Sequence, residues 1–267
     1  MPAVDPEKIS VGRCDMPGRI LVFDSGIGGL SVLRHIRRNR PEDGLLYLAD
    51  DLGFPYGDWE EEALAAHIER LIARVATEWR PSALVVACNT ASTLVLPRLR
   101  ARFTFPIVGT VPAIKPAATA TRSGMVSVLA TPGTVRRDYT RDLIATFAKG
   151  VDVTLVGATR IAQLAEDKLA GRSVDMSALA DQIHPCFKEY QGKRTDCIVL
   201  ACTHYPFLLR EMKEVAPWPV EWIDPSAAIA RQLDRVLPVG NAVHPAPCLF
   251  MYSSGHVFNE PDFEALS

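Results

Sequence analysis

Short apolar runs alternating with stretches of helical period constrain this chain more than any other feature. Residues 19–23, 45–49, 83–87, 125–130, 151–156 and 197–201 are rich in Val, Leu, Ile and Ala, the pattern of strands buried on both faces of a sheet. Most of these runs end in small polar residues: Asp24-Ser25-Gly26, Asp50-Asp51, Cys88-Asn89-Thr90, Thr131-Pro132-Gly133-Thr134 and Cys202-Thr203-His204. Between them, residues 30–40, 60–80, 141–149 and 161–169 place apolar side chains at helical spacing. The first of these ends in basic residues and the second begins with acidic ones, as the helix dipole favours. Another helix follows Thr90, and Pro97 predicts a kink or a fresh turn in it. Residues 107–112 read as a further strand or a crossover. The alternation predicts an α/β fold with largely parallel sheets.

The halves of the chain resemble each other. Leu84-Val85-Val86-Ala87-Cys88-Asn89-Thr90 parallels Ile198-Val199-Leu200-Ala201-Cys202-Thr203-His204, and Asp24-Ser25-Gly26 has its counterpart in Thr131-Pro132-Gly133. At 267 residues the chain is long enough to divide. The expectation is two similar, pseudo-twofold related lobes with the active site in the cleft between them. Residues 19–111 with 224–267 form the first lobe and residues 112–223 the second. Residues 1–18, polar and holding Pro2, Pro6 and Pro17, read as a flexible extension.

Composition removes several classes of function. A net charge of −2 with no basic stripe gives nucleic acid no footprint. No apolar run reaches membrane-span length, and residues 1–18 lack the apolar centre of a signal peptide. Gly26, Gly28 and Gly29 follow a strand, but Ser31 stands where a dinucleotide loop needs its last glycine. Neither a GxxxxGK[ST] phosphate loop nor a GxSxG elbow is present. The six cysteines include no CxxC pair, so neither a zinc site nor a disulfide framework is indicated, and a reducing cytoplasm is the expected compartment. Cys14, Cys186, Cys197 and Cys248 read as packing residues.

Cys88 and Cys202 are different, because each follows Ala at the carboxyl end of a strand, where open parallel sheets bind ligands. A helix beginning there favours the thiolate. Two opposed thiols suit stereoinversion: one thiolate removes the α-proton of an amino acid and the other thiol returns a proton to the opposite face. His204, two residues beyond Cys202, has a functional place. Asp24 is as good a helix cap as a site residue, Glu166 fits a solvated helix face, and Asp50 and Asp51 fit loop caps.

Taken in order, Phe23-Asp24-Ser25-Gly26-Ile27-Gly28-Gly29-Leu30-Ser31, Pro55-Tyr56-Gly57, Ala87-Cys88-Asn89-Thr90-Ala91-Ser92, Gly109-Thr110-Val111-Pro112-Ala113, Leu129-Ala130-Thr131-Pro132-Gly133-Thr134 and Ala201-Cys202-Thr203-His204-Tyr205-Pro206 resemble the glutamate racemase family. The resemblance implies interconversion of L- and D-glutamate without a cofactor or metal. It also implies supply of D-glutamate to peptidoglycan synthesis in a bacterial cytoplasm, glutamate as the small-molecule partner, and a homodimer. By the same resemblance Cys88 and Cys202 are the acid/bases, Asp24 assists the first, and Glu166 with His204 assists the second. Ser25, Tyr56, Gly57, Asn89, Thr90 and Thr203 match substrate-holding positions, as do Thr131 and Thr134, with Asp24 and His204 counted among them. Asp50 matches the family's loop aspartate. The chain departs from the family pattern at Asp51-Leu52-Gly53-Phe54 and at Asp58-Trp59. A racemase of aspartate or another amino acid from the same superfamily, and a non-catalytic acidic amino-acid-binding or regulatory protein, are the alternatives.

Overall fold

A computed structural model describes residues 19–238 and 246–255; the extension expected over residues 1–18 lies outside them, as does Cys14. The described chain divides into two compact units, one built from the residues up to Thr110 together with those from Ser226 on, the other from Val111–Pro225.

The first unit begins with β1 (Ile20–Asp24), α1 (Leu30–Asn39), β2 (Leu45–Ala49), α2 (Glu61–Trp79), β3 (Ala83–Val86), α3 (Asn89–Arg102) and β4 (Ile107–Gly109). The second holds α4 (Ile114–Ala120), β5 (Met125–Ala130), α5 (Pro132–Arg136), α6 (Asp138–Phe147), β6 (Asp152–Gly157), α7 (Ile161–Leu169), α8 (Met176–Ile183), β7 (Glu189–Tyr190), β8 (Lys193–Arg194), β9 (Cys197–Ala201), α9 (Leu209–Val215) and β10 (Glu221–Ile223). The chain then returns to the first unit with α10 (Ser226–Val236) and β11 (Cys248–Tyr252).

Among the described residues, the first sheet has the order β11-β2-β1-β3-β4 and the second β10-β9-β5-β6. Every pairing in both is parallel, so the α/β expectation holds. The inner strands β1, β2, β3, β5 and β9 are buried at every residue, which is why they read as unbroken apolar runs. In the first unit α2 lays Leu64, Ile68, Leu71, Ile72, Val75 and Trp79 against Leu21, Phe23, Leu46, Leu48 and Val86. Each such side chain contributes about 1.5–3 kcal/mol when fully buried. The short β7–β8 hairpin turns through Gln191 and Gly192, both at positive φ (51° and 74°), the conformation a two-residue primed turn requires.

Leaving out β11, the two sheets follow one plan. The order β2-β1-β3-β4 maps onto β6-β5-β9-β10, with β1 matching β5 and β3 matching β9. In each, the chain runs from the central strand to one side and later comes back to pair on the other. The crevice between β1 and β3, and again between β5 and β9, is the topological switch point where such sheets bind ligands.

A buried cation ties the returning segment to the first unit. Arg40, wholly buried, closes α1. Its Nε meets Asp43 Oδ2 at 2.5 Å and its Nη1 meets Asp234 Oδ1 at 3.2 Å. Its guanidinium also donates to the carbonyls of Leu237 and Pro238, both at 2.9 Å. Asn39 Nδ2 adds a bond to Asp234 Oδ2 at 2.9 Å.

Some local expectations are corrected. Helix α3 runs as one element through Pro97 to Arg102, so of the kink and the fresh start expected there the fresh start is excluded. Unlike its counterpart Asp24-Ser25-Gly26, the segment 131–134 enters a helix at once: Thr131 caps α5 and its Oγ1 accepts from Thr134 N at 3.4 Å. No α-helix starts directly after Cys202; a 3-10 turn over Tyr205–Leu208 comes first and α9 begins at Leu209. No helix among the described residues is long and apolar enough to cross a membrane.

Candidate active site

The switch point of the first unit carries Cys88. The β1–β3 register pairs Phe23 with Val86, and continuing it brings Ser25 level with Cys88. The Cys88 thiol lies 3.5 Å from Ser25 Oγ. Cys88 is the N-cap of α3 in extended backbone (φ −72°, ψ 124°) and its carbonyl accepts from Ser92 N at 2.9 Å. The positive pole of a four-turn helix therefore faces any negative charge on the sulfur.

Beside it Asp24 ends β1 and is wholly buried. Its Oδ2 accepts from Gly26 N at 3.0 Å, and Tyr47 Oη donates to the Gly26 carbonyl at 2.8 Å. The loop is drawn in so tightly that a Cβ at Gly29 would stand 2.8 Å from the Asp24 Cβ and 2.9 Å from Tyr47 Oη. Asp24 thus forms the turn at the end of β1, while the N-cap position of α1 falls to Gly29 with no side-chain cap, so the helix-cap reading of Asp24 is corrected.

Asn89 is the most informative polar residue here. It is 2% exposed, yet neither its Nδ2 nor its Oδ1 has a hydrogen-bond partner in the protein. A buried amide left so costs about 1–3 kcal/mol for each unsatisfied group. A polar ligand that took those bonds would recover the cost. Thr90 is buried on the same first turn of α3. Tyr56 is buried in a 3-10 turn, whereas Gly57 is exposed and a Cβ there would meet no atom within 4 Å. The protein itself does not require glycine at 57.

The switch point of the second unit carries Cys202. Register pairs Ala130 with Ala201, so Thr131 comes level with Cys202 as Ser25 does with Cys88. The Cys202 sulfur lies 3.8 Å from His204 Nδ1, and His204 Nε2 lies 2.7 Å from Glu166 Oε1. A carboxylate only accepts, so Nε2 carries a hydrogen. Burial works against a charged imidazole at His204. The sulfur on one side and the Glu166 carboxylate on the other outweigh it and hold the His204 pKa well above the usual histidine range. Where Cys88 has a helix pole, Cys202 has the His204 ring with the Glu166 carboxylate behind it.

Helix α7, which carries Glu166, is anchored through a neighbouring cation. Two residues further along α7, Lys168 Nζ donates to the Phe207 carbonyl at 2.8 Å and pairs with Glu211 at 2.7 Å. Thr203 is buried, and Thr131 Oγ1 lies 3.1 Å from Thr134 Oγ1. Among the described residues no three His, Cys, Asp or Glu side chains gather as metal ligands. Cys186 and Cys197 sit in the core with thiols pushed up to about 12 by burial, joined at Cys197 by the nearby carboxylates of Asp196 and Glu221. None of the described cysteines is in a disulfide.

The expected residues therefore gather as two groups. Asp24, Ser25, Tyr56, Asn89 and Thr90 belong with Cys88, and Thr131, Thr134, Glu166, Thr203 and His204 with Cys202. Sequence reasoning missed His67, whose Nε2 lies 2.7 Å from Asp50 Oδ2; no spacing motif marks it on the amphipathic α2.

The His204 arrangement makes a pH prediction. Its folded pKa exceeds the unfolded value of about 6.5, so its contribution to stability is complete below that pH and is lost as pH rises through the folded pKa. Glu166→Gln removes one of the two supporting charges. The imidazole titration midpoint, followed by NMR, is expected to fall by about 1–3 pH units. An unchanged midpoint would remove Glu166 from this role.

Two parallel α/β units, each with a thiol at its switch point, define the class. The family described as Asp/Glu/Hydantoin racemase matches residues 34–233, and the chain belongs to that family. Within it, the chain is 58% identical over 220 residues to the glutamate racemase of Brucella suis biovar 1, covering 82% of this chain and 79% of that protein. With the glutamate racemase of Agrobacterium fabrum it is 52% identical over 259 residues, covering 96% and 93%. Its fold is similar to that of Escherichia coli glutamate racemase, solved in complex with L-glutamate and the activator UDP-MurNAc-Ala. That match has a TM-score of 0.79 at 40% identity and covers 88% of this chain and 87% of the other.

Proposed function

We propose that this chain interconverts L- and D-glutamate, with Cys88 and Cys202 as paired acid and base acting on opposite faces of the substrate α-carbon. The observation that carries the reading is the repeated switch point: the same strand plan in both sheets ends in a cysteine at the matching position.

One sulfur, as thiolate, takes the α-proton and becomes a thiol. The other, as thiol, gives its proton to the opposite face and becomes a thiolate. Total charge is unchanged, and the reverse reaction exchanges the roles. His204, held by Glu166, supports the second sulfur, and Asp24 with the α3 pole supports the first. The carbanion-like transition state needs fixed donors. The Asn89 amide and the hydroxyls of Ser25, Thr90, Thr131, Thr134 and Thr203, with Tyr56 and the open backbone at Gly57, are the groups for substrate carboxylates and ammonium. D-glutamate made this way serves bacterial peptidoglycan synthesis in the cytoplasm, and the working form is a homodimer, which sedimentation analysis checks.

The test is incubation of the purified, reduced protein with L-glutamate in deuterated water. Loss of circular dichroism together with deuterium at the α-carbon is expected. Turnover of aspartate and not glutamate would assign the chain to another substrate of its family. No exchange with either would leave an amino-acid-binding protein.

Asn89 gives a second expectation. Asn89→Ala is expected to raise KM for glutamate about tenfold, the cost of a lost hydrogen bond to a charged group. The melting temperature without substrate should stay level or rise, because the variant removes an unsatisfied buried amide and places a better helix former on α3. A fall in stability with unchanged KM would mean that the amide serves the fold.

A further inference from the structure

The first unit holds a chain of hydrogen bonds that the proton transfers do not use. Asp50, just beyond β2, is wholly buried. Its Oδ2 accepts from Tyr56 Oη at 2.6 Å and lies 2.7 Å from His67 Nε2. Because a carboxylate only accepts, His67 carries its hydrogen on Nε2. Burial alone would raise the Asp50 carboxyl, but the bonds from His67 and Tyr56 prevail and hold it below the usual range. Burial, then the negative charge of Asp50 and the neighbouring Cys88, push the Tyr56 hydroxyl well above the usual phenol range. Tyr56 is therefore a neutral phenol whose one proton is committed to Asp50. What remains on its oxygen is acceptor capacity.

The surrounding loop locks this arrangement. A Cβ at Gly53 would fall 2.3 Å from Asp50 Oδ2 and 2.9 Å from Tyr56 Cε1, so only glycine lets the loop close over the pair. Trp59 Nε1 donates to the Gly53 carbonyl at 2.9 Å, and its ring lies 5.0 Å from the His67 ring at 31°. Gly53 and Trp59 fall in the two stretches where the chain departs from the family's loop pattern. Gly53 and Trp59 thus pack around Asp50 and its partner His67. Tyr56 and Cys88 are packed in the same buried cluster.

We propose that His67, with Trp59 packed on its ring, is a positioning residue that acts through Asp50 to hold the Tyr56 oxygen near Cys88 as an acceptor for the substrate's ammonium group. The ammonium is the one substrate group that only donates, which matches an oxygen that can only accept. The proposal rests on the racemase reading. His67 itself touches no substrate.

Glutarate, which is glutamate without the ammonium, separates this role from a general effect on the fold. In His67→Ala and in Tyr56→Phe, KM for glutamate is expected to rise about tenfold, as for a lost bond to a charged group. Inhibition by glutarate should stay within about twofold of wild type, since no bond it makes is lost. His67→Gln, whose amide reaches the Nε2 position, should restore most of the affinity. Adding His67→Ala to Tyr56→Phe should cost little more than Tyr56→Phe alone, because residues acting in series are not additive. Equal weakening of glutamate and glutarate, or additive single effects, would overturn the proposal while wild-type turnover leaves the racemase reading standing. If wild type turns over neither enantiomer, the racemase reading fails first.

Discussion

Cys88→Ala and Cys202→Ala are each expected to lower racemisation of glutamate by about 10²–10⁴-fold, the contribution of a positioned proton donor or acceptor. Neither thiol can complete inversion alone, since removal and return of the proton occur on opposite faces. The double variant should therefore fall little further than the weaker single variant, as residues acting as a unit do. Both losses are read by circular dichroism, with α-deuterium uptake as the second signal. Racemisation at the wild-type rate in either single variant would end the two-thiol mechanism. The flanking groups predict that the variants fold: both thiols are small and stand at strand ends whose backbone bonds are already made.

Arg40→Met is the substitution with the largest expected effect on stability. It removes the cation and leaves Asp43, 3% exposed, without it, along with two carbonyls and Asp234. Breaking a buried pair from one side costs about 3–5 kcal/mol. In a chain of this size that lowers Tm by roughly 6–20 °C. Thermal unfolding of both proteins measures it, with Arg98→Ala as the comparison. The Arg98 pair with Glu62 is on the surface, where screening makes such pairs weak, and its loss should leave Tm near wild type. A Tm for Arg40→Met as close to wild type as that of Arg98→Ala would mean that the cluster does not hold the returning segment.

The sequence revealed most where burial is uniform. The inner strands β1, β2, β3, β5 and β9 are covered on both faces, so apolar runs marked them to within a residue or so. The strand order was not legible, because β11 pairs with β2 across some two hundred positions and no local pattern encodes that partner. The two-residue strands β7 and β8 are too short to have a period. At the site, the cysteines stood out because each ends a buried run. Glu166 did not: on α7 it looks like any solvated acid until folding brings it to His204. Helix polarity was predicted for both thiols and found for one. Pro206 restricts Tyr205 and offers no N–H, and the chain makes a 3-10 turn there before α9. The unsatisfied amide of Asn89 and the His67–Asp50–Tyr56 chain are facts of three-dimensional packing, without a spacing that could announce them.

The chain order of the two units has a consequence for synthesis. The second unit is continuous from Val111 to Pro225, whereas the first is interrupted by it and takes α10 and β11 from the chain that resumes at Ser226. On the ribosome, the unit begun first is therefore finished last. Its sheet emerges with the β2 edge uncovered, and β11 arrives only after the whole second unit has been made. An uncovered strand edge is a template for pairing with other chains, and domains fold as units while the chain emerges. The interval between β2 and β11 is thus the stage at which a nascent copy of this protein depends most on chaperones that shield strand edges.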